Sequence, residues 1–130
     1  MPEVPANDVD LIADLYTWLP KWQRLLRLQD WNITVNVKRR YQMSEPDVLG
    51  LCSRHGGSKD ADIDILSTKD IEAHQEGDDA DYELTLVHEL LHIHFAYMDN
   101  DAPHERQQEE LIVSTLSRAF VKLNRDGLTS

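Results

Sequence analysis

Residues 84–98 restrict the fold of this chain more than any other segment. They are apolar almost all round and include His-Glu-Leu-Leu-His at positions 88–92. A helix that is hydrophobic on all sides is buried, and two histidines four residues apart lie on one face of it. Because buried polar groups need partners, the sequence predicts a buried helix over about residues 81–98 whose histidines share one partner.

The spacing of the two histidines is typical of a metal site. His88 and His92 can bind one ion from the same helix face, and Glu89 is placed to handle the proton of a metal-bound water. The alternative is a core helix whose histidines bond to backbone groups or carboxylates nearby. Catalytic zinc takes three protein ligands and leaves one position open for water, so the hypothesis requires a third ligand.

The last predicted helix offers glutamates for this third position. Glu109 precedes Ile112 by three residues and Leu116 by seven, which puts it on the predicted inward face. We therefore predict Glu109 as the third zinc ligand. Glu110, rotated by about 100° around the helix, is held in reserve, and Glu105 is expected to lie a turn too early.

The other histidines are weaker candidates. His94 lies about 200° around the helix from His92, so we expect it to serve helix packing or the surface. His104 lies in the turn before the last helix and is an alternative ligand. One extended form of the motif has a histidine six residues after the second histidine, where this chain has Met98.

The rest of the chain predicts an α+β fold in one domain, residues 1–130. After a frayed tail at residues 1–7, an N-terminal helix is expected to break or kink at Pro20. Its apolar stripe is Val9, Leu11, Ile12, Leu15, Trp18, Leu19, Trp22, Leu25 and Leu26. A small three-stranded sheet at 31–39, 48–54 and 61–66 follows, then the motif helix and a C-terminal helix at about 104–124. The predicted stripe of that last helix is Ile112, Thr115, Leu116, Ala119, Phe120 and Leu123.

An acidic run separates the sheet from the motif helix. Residues 67–83 are expected to form a solvated connection that also caps the next helix. The alternative is an electrostatic rim that favours basic substrates.

Composition excludes several classes of function. The net charge of −11 argues against binding to a nucleic-acid backbone. No apolar run reaches the length of a membrane span, and the first residues lack the features of a signal peptide. The single cysteine, Cys52, excludes an internal disulfide and suits a reducing compartment. We expect a cytoplasmic protein without a membrane or nucleic-acid partner.

The motif and the later glutamate together resemble a known family. The segments 86–92 and 109–116 are similar to the gluzincin clan of zinc metallopeptidases, and to its minimal members, the ImmA/IrrE-type peptidases and small phage and prophage metallopeptidases. The resemblance implies a zincin-like fold, a Zn²⁺ cofactor and a peptide or protein substrate. It also implies an edge strand that holds the substrate extended, expected here at residues 61–66.

The leading hypothesis is therefore a zinc-dependent peptidase. His88, His92 and Glu109 would hold the ion, and Glu89 would act as general base. A second donor for the oxyanion is sought among Tyr97, Tyr82, His55 and His104. The alternatives are a catalytically silent binding or regulatory module that keeps the metal, and a structural partner protein that binds no metal.

Overall fold

A computed structural model describes residues 5–71 and 81–127. The α+β class is confirmed, because three α-helices and one three-stranded mixed sheet make up the described part of the chain. The helices are α1 (Asp8–Leu25), α2 (Tyr82–His92) and α3 (Pro103–Arg125), and the strands are β1 (Asn32–Lys38), β2 (Gly50–His55) and β3 (Asp60–Leu66). Short 3-10 helices follow β1 at Arg40–Gln42 and α2 at Ile93–Phe95.

Helix α1 is continuous, so the predicted break at Pro20 is wrong. The side chain of Asn7 caps the helix by accepting a hydrogen bond from the backbone N of Asp10 at 2.9 Å. Pro20 is exposed, and on the solvent side water can satisfy the carbonyl that a missing N–H leaves free. The opposite face of α1 is buried through Leu11, Leu15, Leu19 and Trp22.

Strand β3 lies in the middle of the sheet, between β1 and β2. It pairs parallel with β1, where Asn32 is opposite Asp60, and antiparallel with β2, where Gly50 is opposite Ile65. The expectation that residues 61–66 form the substrate-holding edge is therefore wrong. Ile63 and Ile65 are fully buried, as expected of a central strand, and the edge strand on the motif-helix side is β2.

The core fixes α2 against the sheet. Helix α2 contacts both β2 and β3, and its Leu86, Leu90 and the following Ile93 are fully buried together with Ile63 and Ile65. Each such side chain contributes about 1.5–3 kcal/mol by leaving water. The position of the motif helix is thus set by apolar packing on the sides that carry no histidine.

The inward face of α3 differs from the predicted stripe by one residue, or about 100°. The buried residues of α3 are Glu109, Val113, Ser117 and Val121. Predicted stripe members are exposed instead, namely Ile112, Leu116 and Leu123. The prediction followed the largest apolar residues, but the smaller Val113 and Ser117 are the ones buried. On α1, Val9 and Ile12 are likewise exposed.

Other parts of the prediction fall near the limits of the described residues. Residues 1–4 of the predicted tail and residues 72–80 of the acidic run lie outside them. Asp81, at the end of that run, caps α2 as expected, since its side chain accepts a hydrogen bond from the backbone N of Leu84 at 3.1 Å. Among the described helices, none combines the length and apolar character that crossing a bilayer requires.

Candidate metal centre

Helix α2 brings the two motif histidines together at its C-terminal end. His88 and His92 lie one turn apart with ring centroids separated by 5.1 Å, and both side chains are largely buried. The α-helix ends at His92 and continues only as the 3-10 turn Ile93–Phe95, so it is shorter than the predicted 81–98. The histidines therefore lie at the C-terminal end of the α-helix.

Helix α3 supplies a carboxylate to this pair, and that carboxylate belongs to Glu110. One oxygen of Glu110 lies 2.7 Å from Nε2 of His88, and the other lies 3.0 Å from Nε2 of His92. Within residues 5–71 and 81–127, this is the one group of three metal-ligating side chains whose ligand atoms converge, all within 4.8 Å of one another. The reserve residue thus occupies the position expected of a third ligand.

Glu109 is inward-facing as predicted, but it contacts the other side of His92. Its Oε2 accepts a hydrogen bond from Nδ1 of His92 at 2.6 Å. The side chain is buried in an ion pair with Arg54 of β2, whose Nη1 and Nη2 donate at 2.6 and 3.2 Å, and Asn100 donates at 2.9 Å. Glu109 therefore contacts Nδ1 of one histidine, whereas Glu110 contacts Nε2 of both.

The difference between the two glutamates follows from the phase of α3. Its buried line passes through Glu109 and Val113, so a residue one position later lies at the flank of the α2–α3 contact. The Glu110 side chain is 54% exposed there, against 7% for Glu109. A site that admits solvent and substrate has to lie at such a flank, because the middle of the helix contact is filled.

Glu89 is buried beside the edge strand. A Cβ placed on Gly50 of β2 would lie 3.0 Å from both Cγ and Oε2 of Glu89 and 3.1 Å from Cγ2 of Thr85. The absence of a side chain at Gly50 is thus what makes room for this carboxylate. Burial raises the pKa of Glu89 to about 7, against the opposing charges of His88 and His92.

Hydrogen bonds within the cluster shift the pKa values of its charged groups. Hydrogen bonds from His88 and His92 hold the pKa of Glu110 far below its ordinary range. Burial acts to raise the pKa of Glu109, but hydrogen bonds from Arg54, Asn100 and His92 lower it to about 2. Burial acts to lower the pKa of His92, and its hydrogen bonds to Glu110 and Glu109 raise it above the ordinary value.

An open cleft of about 610 Å³ lies against this cluster. Its wall includes residues 50–54 of the edge strand β2. A smaller cavity of about 300 Å³ adjoins it. Both are lined by His88, Glu89 and Glu110, so the cluster is accessible from two sides.

The cleft residues that were not singled out from the sequence include Arg54, Asn100 and Arg106. The period of two along β2 could have identified Arg54, because it shares a face with Gly50 and Cys52. The pairing of Asn100 with Glu109 follows a turn after α2 and leaves no local pattern. Arg106 donates a hydrogen bond to the backbone O of Asp101.

The predicted oxyanion donors lie outside the lining of both cavities. Tyr82 is buried and donates to the backbone O of Leu66 at 3.1 Å, and Tyr97 is 68% exposed and donates to the backbone O of Gly56. His55 and His104 are exposed. The role of oxyanion donor therefore stays a prediction for these four side chains, none of which lines the cleft.

Glu105 and His94, which the sequence analysis also considered, have partners outside the metal-ligating cluster. Glu105 accepts a hydrogen bond from the backbone N of Ala102 at 3.1 Å and so caps α3. His94 lies 2.8 Å from the backbone O of Leu26, to which its Nε2–H donates. The helix-packing role predicted for His94 is consistent with this contact.

The donor set suits a catalytic divalent metal. Two imidazoles and one carboxylate are a known ligand set of catalytic zinc, which keeps a fourth position open. Nε2 of both histidines faces the same carboxylate, which is itself accessible from the cleft. The residues present therefore fit a zinc ion held by His88, His92 and Glu110.

Comparison with family models, curated proteins and solved structures finds no match for this chain. The chemistry of the site therefore has to be argued from its own residues.

Proposed function

We propose that this protein is a zinc-dependent metallopeptidase of zincin-like, gluzincin type. His88, His92 and Glu110 are its metal ligands, and Glu89 is its general base. The observation that carries the proposal is the convergence of two imidazoles and one carboxylate beside a buried glutamate in an open cleft. Glu110 replaces Glu109 as the third ligand because its two oxygens lie near Nε2 of both histidines.

Each motif residue has one task in this reaction. Zinc in such a site lowers the pKa of a coordinated water to about 7 and polarises a carbonyl group. Glu89 takes one proton from the attacking water as the water oxygen bonds to the carbonyl carbon. It delivers that proton to the amine when the C–N bond breaks. The burial of Glu89 supports this role, because desolvation favours the protonated carboxyl and so helps Glu89 to take up a proton.

The substrate we propose is a peptide segment in extended form. Strand β2 is the edge of the sheet on the side of the cleft, and an edge strand offers backbone groups with which a peptide can pair. The two cavities meet at the cluster, which leaves room for substrate residues on both sides of the cleaved bond. Because Cys52 is the single cysteine of the chain and is free, we still predict a reducing, cytoplasmic location.

Zinc content and peptide cleavage test this proposal together. We expect purified wild-type protein to bind one zinc ion and to cleave unfolded protein or peptide substrates. Glu89→Gln should retain zinc and lose at least about 100-fold in cleavage rate, as expected for a general base. His88→Ala should lose both, whereas His94→Ala, two residues after His92, should keep both because His94 bonds to the backbone O of Leu26.

Each other outcome points elsewhere. Zinc bound without cleavage of any substrate favours the silent binding or regulatory module. Absence of zinc from the wild type at micromolar zinc rejects the proposal and favours a structural protein. Cleavage that persists in Glu89→Gln rejects Glu89 as the base.

A further inference from the structure

His92 is held at both of its ring nitrogens. Its Nε2 faces Glu110 at 3.0 Å, on the cleft side, and its Nδ1 faces Glu109 at 2.6 Å, on the buried side. A histidine that binds a metal through one nitrogen is oriented by the hydrogen bond at the other. The contact between Nδ1 and Glu109 therefore affects how His92 orients Nε2 toward the cleft.

Glu109 is fixed by donors from two other parts of the chain. Arg54 approaches from the edge strand and uses both terminal nitrogens, and Asn100 approaches from the segment between α2 and α3. Arg54 Nη1 also donates to the backbone O of His92 at 2.5 Å. One guanidinium thus contacts both the side-chain partner and the backbone of the same histidine.

These contacts determine which nitrogen of His92 carries the proton. A carboxylate paired with an Arg fork accepts hydrogen bonds and does not donate them. Nδ1 of His92 must then carry the hydrogen that Glu109 accepts, so Nε2 is left as the nitrogen that can present a lone pair to a metal, in place of the hydrogen bond it makes to Glu110 here. That lone pair faces the cleft, on the side where Glu110 and His88 lie.

We propose that Arg54, Asn100 and Glu109 form a positioning clamp that fixes the tautomer and the orientation of His92 as a metal ligand. The proposal rests on the metal site proposed above, and it adds three residues that do not touch the metal. Because Arg54 belongs to β2, the clamp also fixes the distance between the cleft wall and His92.

The chain provides a matched control for the clamp. Glu83 is buried to the same degree as Glu109, at 7% and 6% exposure, and it also pairs with an arginine, Arg125. It binds Trp22 and Lys21 in place of a histidine. Glu83→Gln therefore removes a comparable buried charge without touching the proposed metal site.

The decisive measurement is the zinc affinity of the purified full-length protein, read by competition with a chromogenic chelator. We expect Glu109→Gln to weaken zinc binding by about 10–100-fold, and Glu83→Gln to leave it within about twofold. Arg54→Met should weaken zinc binding, and Arg54→Lys should restore part of the loss because it keeps a charge on Glu109. The visible spectrum of the Co²⁺-loaded protein should change in Glu109→Gln and not in Glu83→Gln.

The outcomes separate the clamp from the proposed function. A wild type that binds no zinc overturns the metal site and the clamp with it. A wild type that binds zinc, with Glu109→Gln and Arg54→Met binding it equally tightly, overturns the clamp alone. If Glu109→Gln does not fold, Asn100→Ala removes one donor from the cleft side and should still weaken zinc binding several-fold, and unchanged affinity there also counts against the clamp.

Discussion

Glu83 and Glu109 are two buried carboxylates with similar surroundings and different consequences. Both are less than 10% exposed, and both join two or more elements through an arginine and further donors. The partners of Glu83 are Lys21 and Trp22 of α1 and Arg125 of α3. Lys21 and Arg125 are partly exposed to solvent, and Trp22 is buried in the core. Around Glu109, one partner is His92, whose other nitrogen faces an open cleft.

The comparison shows that burial and ion pairing do not by themselves identify a functional residue. Each carboxylate satisfies the requirement that a buried charge be paired and hydrogen-bonded. The distinguishing feature is the second contact made by a partner. Glu83 therefore holds the three helices together, and Glu109 connects the edge strand to the proposed metal ligand.

The largest expected effect tests the structural side of this comparison. Glu83→Ala leaves Trp22 Nε1 without its acceptor and removes the charge shared by Lys21 and Arg125. We expect the free energy of unfolding to fall by about 3 kcal/mol, near the low end for a broken buried pair because both cations are one-third exposed. Chemical unfolding of the metal-free protein measures this, with zinc affinity of the folded variant unchanged. A loss below about 1 kcal/mol would remove the structural role of Glu83.

Adding a methyl group to the edge strand tests the functional side of this comparison, the proposed active site. Gly50→Ala places a Cβ 3.0 Å from the Glu89 carboxylate, which then has to shift. We expect cleavage to slow by about tenfold or more, since small displacements of reacting groups are costly, with zinc still bound. Gly57→Ala is the control, because a Cβ there meets nothing within 4 Å. Equal rates for the two variants would contradict the close packing of Glu89 on β2.

The smallest expected effect is the share of the pH dependence of stability that Glu83 contributes. Burial acts to raise the pKa of Glu83, but hydrogen bonds from Trp22, Lys21 and Arg125 hold it below the ordinary 4.5. Its contribution to stability is therefore present above that ordinary value and is lost as pH falls through the lower folded value. Unfolding of metal-free wild type and Glu83→Gln between pH 7 and pH 3 should give curves that converge in acid. A constant difference between them would show that Glu83 titrates alike in the folded and unfolded states.

Local patterns predicted most elements of the fold. The alternation at residues 61–66 and the apolar run around the motif predicted β3 and α2, because side-chain periodicity reflects which face is buried. The strand order could not be predicted in this way, since a period of two shows that a strand is buried on a face and not which strands flank it. The continuous helix through Pro20 was missed because its exposed side is a tertiary property.

The candidate site divides in the same way. The histidine pair and Glu89 are spaced by the helix itself, so their common location was predictable from the sequence. The third position was assigned to the inward-facing glutamate of α3, but the inward-facing Glu109 contacts Nδ1 of His92, and Glu110 at the flank contacts Nε2 of both histidines. Arg54 was missed because it is 55 residues away from Glu109 in the chain.

The sequence by itself determined which chemical groups are present and which of them one helix brings together, because helical geometry follows from local spacing. Only the tertiary structure decided which glutamate of α3 faces both imidazoles and which one lies behind His92. That choice depends on the rotation angle of α3 about its own axis where it packs on α2. The packing of the whole helix surface sets this angle. No residue of the site sets that angle alone, so no local pattern encodes it.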